Sequence, residues 1–328
     1  MCARLEINGD TRPGLCRLAV VTAATTLFLL FVGGTVTSNN AGLAVPDWPT
    51  SFGHHMLTYP PSEWKAGIFF EHTHRLLGAA VGLLTLLLAA AAQLFDRRAW
   101  LRTVAWLMLL AVIAQGIMGG LRVTERSIHW AIFHGCFAQL FLASTACMVL
   151  FTSGAWRRPT APSQPAAGQP AAGQPAAGQP AATTLHALCI AANLAIFAQL
   201  IAGAFYRHTG IGLIYHVAGA FLVTIFVCLV AMCITGWHGD QPVLASLARW
   251  IGLLLIVQLA LGVGAWIAAT RYAPDQPASF WQWFVPSVHL AVGAAIFALS
   301  VVATVAAFRF LKPVSLEQLS TAPGAASS

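Results

Sequence analysis

The stretch FFEHTHRLLGAAVGLLTLLLAAAAQL, residues 69–94, decides the fold. It is an apolar run long enough to cross a bilayer, and Glu71, His72, His74 and Arg75 stand at its mouth. Ionisable groups are expensive in hydrocarbon and usually mark function there, so this one segment carries both the architecture and the question of what its charges do.

The rest of the chain has the same character. Of 328 residues 58% are hydrophobic and only 8% charged, more apolar surface than one soluble core can bury, which makes this an all-α polytopic membrane protein. Apolar windows predict eight transmembrane helices near 18–37, 68–94, 103–121, 130–151, 185–205, 211–234, 247–268 and 285–308. The first follows Arg4, Arg12 and Arg17 and ends in GGTVTSNNAGLAVPDWP with no small-residue cleavage site, so it reads as a retained span.

An even number of spans puts both termini on one side. That side carries eleven Lys and Arg residues (Arg4, Arg12, Arg17, Arg97, Arg98, Arg102, Arg157, Arg158, Arg249, Arg309 and Lys312). The other carries five (Lys65, Arg122, Arg126, Arg207 and Arg271), so both termini are expected to be cytoplasmic. This asymmetry accounts for the net charge of +7, and no basic run interleaved with aromatics suggests a nucleic-acid partner. The seven cysteines are scattered, with no Cys-x-x-Cys and none in an expected outer loop, which argues against a disulfide or zinc framework.

Between the fourth and fifth spans Gln-Pro-Ala-Ala-Gly recurs in tandem from Gln164, a low-complexity cytoplasmic linker. The organisation expected is therefore an N-terminal four-helix bundle (1–158), the linker (159–184), a C-terminal four-helix bundle (185–312) and a disordered tail (313–328).

The two bundles are expected to be pseudo-symmetric, because a repeat runs through both. QGIMGGLRV, QLIAGAFYR and QLALGVGAW each place Gln four residues before Gly: Gln115 and Gly119, Gln199 and Gly203, Gln258 and Gly262. Each lies on an odd-numbered helix and is followed by an even-numbered helix with a histidine near its start, in IFHGCFAQ, IYHVAGAF and SVHLAVGA. THRLLGAA is the same unit again, after a first helix carrying Gly33 and Gly34, so the chain reads as four helix pairs.

His74, His134, His216 and His289 thus fall at a common expected depth, roughly 6–9 Å in from the outer helix ends. One such histidine is as well explained by a hydrogen bond between helices; four in repeat-related positions point to haem iron, which two facing helices of a bundle can ligate from both sides. Partners within one bundle pair His74 with His134 and His216 with His289. Zinc is a poorer fit, since no Cys, Asp or Glu recurs beside them. His54, His55, His72, His129, His186, His208 and His238 have no repeat counterparts as a set and read as solvated surface residues.

The two pairs differ in their surroundings. Three residues before each repeat histidine stand Glu71, Ala131, Leu213 and Pro286, so only the first bundle has a carboxylate one turn from a ligand. Glu71 reads either as an ion pair with Arg75 or as a proton acceptor or anion that stabilises charge developing on a ligand methyl group. Arg75, Asp47 and Trp48 suit propionate or lid contacts. The outer loop near 38–67, with Asp47, Trp48, Trp64 and four prolines, is stiff enough for a lid, although its aromatics equally suit interfacial anchoring; Trp281 and Trp283 read as such anchors.

Taken together, GGTVTSNNAGLAVPDWP, EHTHRLLG, QGIMGGLRV with its following HG, YHVAG and VHLAVG resemble the haem A synthase (Cox15/CtaA) family over nearly the whole chain apart from the termini and the linker. The resemblance implies oxidation of a ring methyl of haem O to the formyl group of haem A, for terminal cytochrome oxidases, in a bacterial inner membrane or its equivalent. It implies substrate haem between His74 and His134, cofactor haem b between His216 and His289, and Glu71 as the catalytic carboxylate. Haem O synthase is then the supplier of substrate, membrane lipids are contacts, and the electron acceptor and homo-oligomer formation are left open. Some members carry a cysteine pair in an outer loop; here Val45 precedes PDWP and the first loop has none, which resembles a cysteine-free subtype.

Two other readings use the same residues. A bis-histidine di-haem electron-transfer cytochrome needs the paired histidines too, but transfer across a membrane favours haems at two depths. A haem transporter or store fits the repeats, but its signature is often interrupted helices with midplane charges, and these runs are continuous.

Overall fold

The structure, a computed structural model, describes residues 13–157, 182–271 and 278–311. The Gln-Pro-Ala-Ala-Gly repeats and the predicted C-terminal tail lie outside the described residues. The described chain is helical: α1 (Pro13–Ser38), α2 (Gly67–Phe95), α3 (Ala99–Thr124), α4 (Ile128–Thr152), the single turn α5 (Gly154–Arg157), α6 (Ala182–Thr209), α7 (Leu213–Trp237), α8 (Pro242–Thr270) and α9 (Phe280–Phe310). All but α5 are long and apolar enough to cross a membrane, which makes eight, as the sequence predicted, and defines an integral membrane protein.

Local chemistry sets the boundaries. The Ser127 side chain accepts from the Trp130 N–H at the start of α4, Pro242 opens α8, and Ser279 with Gln282 forms a capping box on α9. That box starts α9 five residues before the predicted span, because a hydropathy window stops at the polar and aromatic first turn that the helix includes. α7 begins two residues late: Gly210 and Gly212 take positive φ angles of 72° and 91°, a conformation open to glycine, and turn the chain tightly from α6 into α7.

Packing closes two rings. In one, α1 meets α2, α2 meets α3, α3 meets α4 and α4 returns to α1; in the other, α6, α7, α8 and α9 close in the same order. The rings join through α1 and α4 against α9, and α4 against α6. One apolar core lies within the first ring around Val81, Leu88, Leu101 and Met148, and a larger one extends from Leu142 and Leu150 through Leu185, Ile234, Leu244 and Phe297. Buried hydroxyls along these helices satisfy themselves locally: Thr26 donates to the Thr22 carbonyl, Thr85 to Val81 and Thr152 to Met148, each at 2.7 Å.

Small residues let the helices approach. A Cβ at Gly34 of α1 would stand 3.1 Å from the Ser287 backbone of α9, so this glycine sets the contact between the rings. Cys136, Cys147, Cys189, Cys228 and Cys233 are free thiols. Cys16 is disulfide-bonded, which the scattered spacing of the cysteines did not lead one to expect.

Candidate functional site

The repeat places its four histidines in two facing pairs. His74 of α2 meets His134 of α4 with ring centres 6.3 Å apart and planes at 85°. His216 of α7 meets His289 of α9 at 6.2 Å and 80°. Their insets along the helices differ: His216 is about one turn past Leu213 and His289 about two and a half turns past Phe280. Helix ends are thus a poor gauge of depth here, because α9 starts further out than the helix it faces.

The spacing of each pair has a chemical meaning. An iron about 2 Å from one nitrogen of each imidazole, with about 1.1 Å from nitrogen to ring centre, requires centres about 6.2 Å apart. Among the described residues no group of three or more His, Cys, Asp or Glu side chains is arranged to hold a bare ion. A pair of opposed imidazoles suits a metal whose other positions are already filled by a macrocycle.

The Gln-x-x-x-Gly motif explains how each ring is seated. A Cβ at Gly33, Gly119, Gly203 or Gly262 would lie 3.0, 3.2, 2.8 or 3.2 Å from Cε1 of His74, His134, His216 or His289, so α1, α3, α6 and α8 each offer a histidine of the following helix a flat bed. The glutamine one turn earlier holds the next helix. Gln115 Nε2 donates to the His134 carbonyl at 3.1 Å, Gln199 Nε2 to the His216 carbonyl at 2.6 Å, and Gln258 Nε2 lies 3.4 Å from His289 Nε2. His134 Nδ1 stands 3.1 Å from the Gln115 carbonyl. A carbonyl only accepts, so Nδ1 carries the hydrogen and Nε2 keeps a lone pair for a metal. In the first unit Leu29 occupies the glutamine position, and His74 Nδ1 is buried near its carbonyl without hydrogen-bond geometry.

Glu71 is 4% exposed and fully engaged. One oxygen pairs with Arg75 Nη2 at 2.9 Å and the other accepts the Val45 N–H at 2.9 Å. Arg75 donates to three loop carbonyls as well: Asp47 at 2.7 Å, Thr50 at 2.9 Å and Val45 at 3.0 Å. With both terminal nitrogens committed, Arg75 clasps the loop and has no fork left for a propionate.

The loop is built to be clasped. Asp47 accepts from Thr50 Oγ1 at 2.5 Å, Phe52 N at 2.7 Å and Gly53 N at 2.9 Å. Trp48 lies on Gly120, where a Cβ would come within 2.5 Å of the indole, one residue beyond the bed of His134. His72, expected at the surface, is 0% exposed. It packs edge-on against Trp64 with ring centres 4.7 Å apart and approaches Ser51 Oγ at 3.2 Å, so it belongs to the seam between the 38–67 loop and α2. His186 is buried too, stacked on Phe308, while His54, His55 and His129 are exposed as expected. Trp281 is exposed, and Trp283 packs against Phe70, the neighbour of Glu71.

Burial alone would raise the Asp47 carboxyl, but the Gly53 N–H, the Thr50 hydroxyl and the Phe52 N–H outweigh it and hold the group below the usual carboxylate range. A folded value below the unfolded one contributes stability that is complete above the unfolded value and lost as pH falls through the folded one. The loop should therefore resist limited proteolysis at neutral pH and yield only on acidification below about pH 4. Asp47→Asn, with one acceptor oxygen, should yield already at neutral pH; equal cleavage of both proteins there would contradict the knot.

Two half-buried arginines, Arg122 and Arg207, were counted in the sequence only as outer charges. Arg122, at the end of α3, donates to the Gly42 carbonyl at 2.5 Å. Arg207, at the end of α6, reaches α1 and α9. They stand seven and eight residues after Gln115 and Gln199, so the repeat held a signal for them.

A polytopic membrane protein with two seated histidine pairs, one of them beside a clasped carboxylate, is the class that fold and site define. The chain matches COX15-CtaA, described as "Cytochrome oxidase assembly protein", over residues 16–222, and it belongs to that family. Over 138 residues it is 30% identical to the "Heme A synthase" of Shouchella clausii (strain KSM-K16), a match covering 41% of this chain and 44% of that protein, so the alignment spans under half of the relative's length. The family match takes in Glu71, His74, His134 and His216; His289 lies beyond it.

Proposed function

We propose that this protein oxidises a ring methyl of haem O to a formyl group, giving haem A for terminal oxidases. Family membership and the name of the relative support a role in haem A synthesis. The observation that carries the reading further is the difference between two otherwise matching histidine pairs: only His74 and His134 have a carboxylate, Glu71, one turn from a ligand.

In this reading His74 and His134 hold the substrate haem, and His216 and His289 hold haem b. Haem b, when bound, supplies a one-electron redox centre. The chain contributes orientation and dryness: opposed imidazoles fix the ring plane, glycine beds and glutamine contacts fix the imidazoles, and the loop, with Trp48 laid on Gly120, keeps water from the reacting edge. Glu71 offers its remaining lone pairs to a proton lost from the methyl carbon or its hydroxyl while the electrons of the oxidation pass to an external acceptor. A cysteine-free lid suits this reading, because at Val45 the backbone takes part: its N–H meets Glu71 and its carbonyl meets Arg75. The Lys and Arg asymmetry supports cytoplasmic termini, with both histidine pairs toward the outer face of a bacterial inner membrane. Haem O synthase supplies the substrate.

The test is to express the chain with a source of haem O, purify it in detergent and identify the extracted haems by mass and pyridine haemochrome spectrum. Haem A or its hydroxylated precursor beside haem b is expected. Haem b alone, with haem O present, would overturn the synthase and leave a di-haem electron carrier.

The seating of the rings makes a further prediction. Alanine is the better helix former, so Gly203→Ala should stabilise α6 unless its Cβ, 2.8 Å from His216 Cε1, displaces the ring. We expect haem retention at His216 and His289 to fall about tenfold. Gly116→Ala, whose Cβ meets nothing within 4 Å, should leave haem content unchanged. Equal behaviour of the two variants would remove the glycine bed from the account.

A further inference from the structure

Arg207 is a permanently charged group placed among helices, yet among the described residues it forms no ion pair with a carboxylate. Its partners are neutral and lie on two other helices. Nη2 donates to the Gly34 carbonyl at 2.7 Å and to Ser38 Oγ at 2.6 Å on α1. Nη1 donates to the Pro286 carbonyl of α9 at 3.2 Å. Ser38 Oγ in turn lies 3.4 Å from Ser287 Oγ, which donates to the Trp283 carbonyl at 2.6 Å.

Each of these anchors stands beside a histidine seat. Gly34 follows Gly33, the bed of His74; Pro286 lies three residues before His289; Arg207 itself lies four residues after Gly203, the bed of His216. One planar fork therefore connects three of the four seats across the junction of the two rings. A lysine in its place would offer a single nitrogen and no fixed plane.

We infer that Arg207 is a positioning residue shared by both sites, fixing the His74–His134 pair relative to the His216–His289 pair so that a disturbance on one side reaches the other. The inference rests on the proposal that both pairs ligate haem. Fork contacts to backbone among packed helices are worth their desolvation only when several acceptors are held at once, and here they are held on α1 and α9, the most extensively packed of the helix pairs that form the junction.

The experiment uses the full chain in detergent, reconstituted with two equivalents of haemin and read by electron paramagnetic resonance, whose low-spin g values report how two imidazoles lie about an iron. His134→Ala and His289→Ala assign the two signals, each by removing one. Arg207→Gln is expected to shift both signals and weaken haemin binding about tenfold at each pair. Arg207→Lys should fall between, and Ser38→Ala, a milder change that keeps the guanidinium paired, should move both signals less. Both signals unchanged, or only that of His216 and His289 moved, in Arg207→Lys and Ser38→Ala as well as in Arg207→Gln, would overturn the shared role. A wild-type chain without bis-imidazole signals would overturn the haem reading itself, and this inference with it.

Discussion

Alanine in place of His74 or His134 is expected to abolish haem A formation while leaving the His216–His289 pair loaded, and alanine at His216 or His289 to do the reverse to cofactor content. The expectation follows from the separate ligand sets: each imidazole lies on its own glycine and each pair is closed within one ring of helices, so the link through Arg207 can shift the geometry of the other pair but removes none of its ligands. Losing one of two opposed imidazoles leaves the other to bind alone and opens an axial position to water. Changes to groups that merely support a metal ligand cost about 10–100-fold in affinity, so loss of a ligand should exceed about a hundredfold. Haem per protein from the haemochrome spectrum, with the ratio of low-spin to high-spin absorption, measures it. A His134→Ala protein that keeps two low-spin haems and still yields haem A would show that the facing pair is packing and not ligation.

Sequence alone made the helices and the four paired histidines legible, for the same reason in both cases: each rests on a pattern repeated along the chain. The window 68–94 became Gly67–Phe95, since an apolar run in lipid has little choice but to close its own hydrogen bonds. The four histidines were found by reading one unit against the next, and His74 with His134 and His216 with His289 were paired as partners within one bundle. What stayed hidden were contacts whose partner is backbone. Arg75 was read as a partner of Glu71 or as a propionate or lid contact, because its side chain advertises a fork, but nothing in the letters of residues 45–50 announces three carbonyls turned toward it. Arg122 and Arg207 were lost among outer-loop charges for the same reason. His72 was misplaced because its burial comes from a loop folding over α2, with Trp64 and Ser51 arriving from positions that no helical period relates to it. The helix is encoded locally; the clasp is not.

Glu71 belongs to both worlds, and separating its two duties gives the second large effect. Glu71→Gln retains one acceptor oxygen, yet two donors face the side chain, Arg75 Nη2 and the Val45 N–H, so the new amide must turn its NH2 toward one of them. The lid loosens and the carboxylate is gone. We expect haem A output to drop by at least about a hundredfold, in the range of a lost acid–base group, with both haems still bound because no ligand has changed. Arg75→Lys is the needed comparison. It leaves a cation beside Glu71 but cannot span the carbonyls of Val45, Asp47 and Thr50, so it loosens the same lid with the carboxylate in place. If Glu71 acts on the substrate, Arg75→Lys should lose only about tenfold and become as sensitive to loop proteolysis as Glu71→Gln. If the two variants lose activity equally while sharing that sensitivity, Glu71 serves the lid alone and the proton acceptor must be sought elsewhere around the His74–His134 pair.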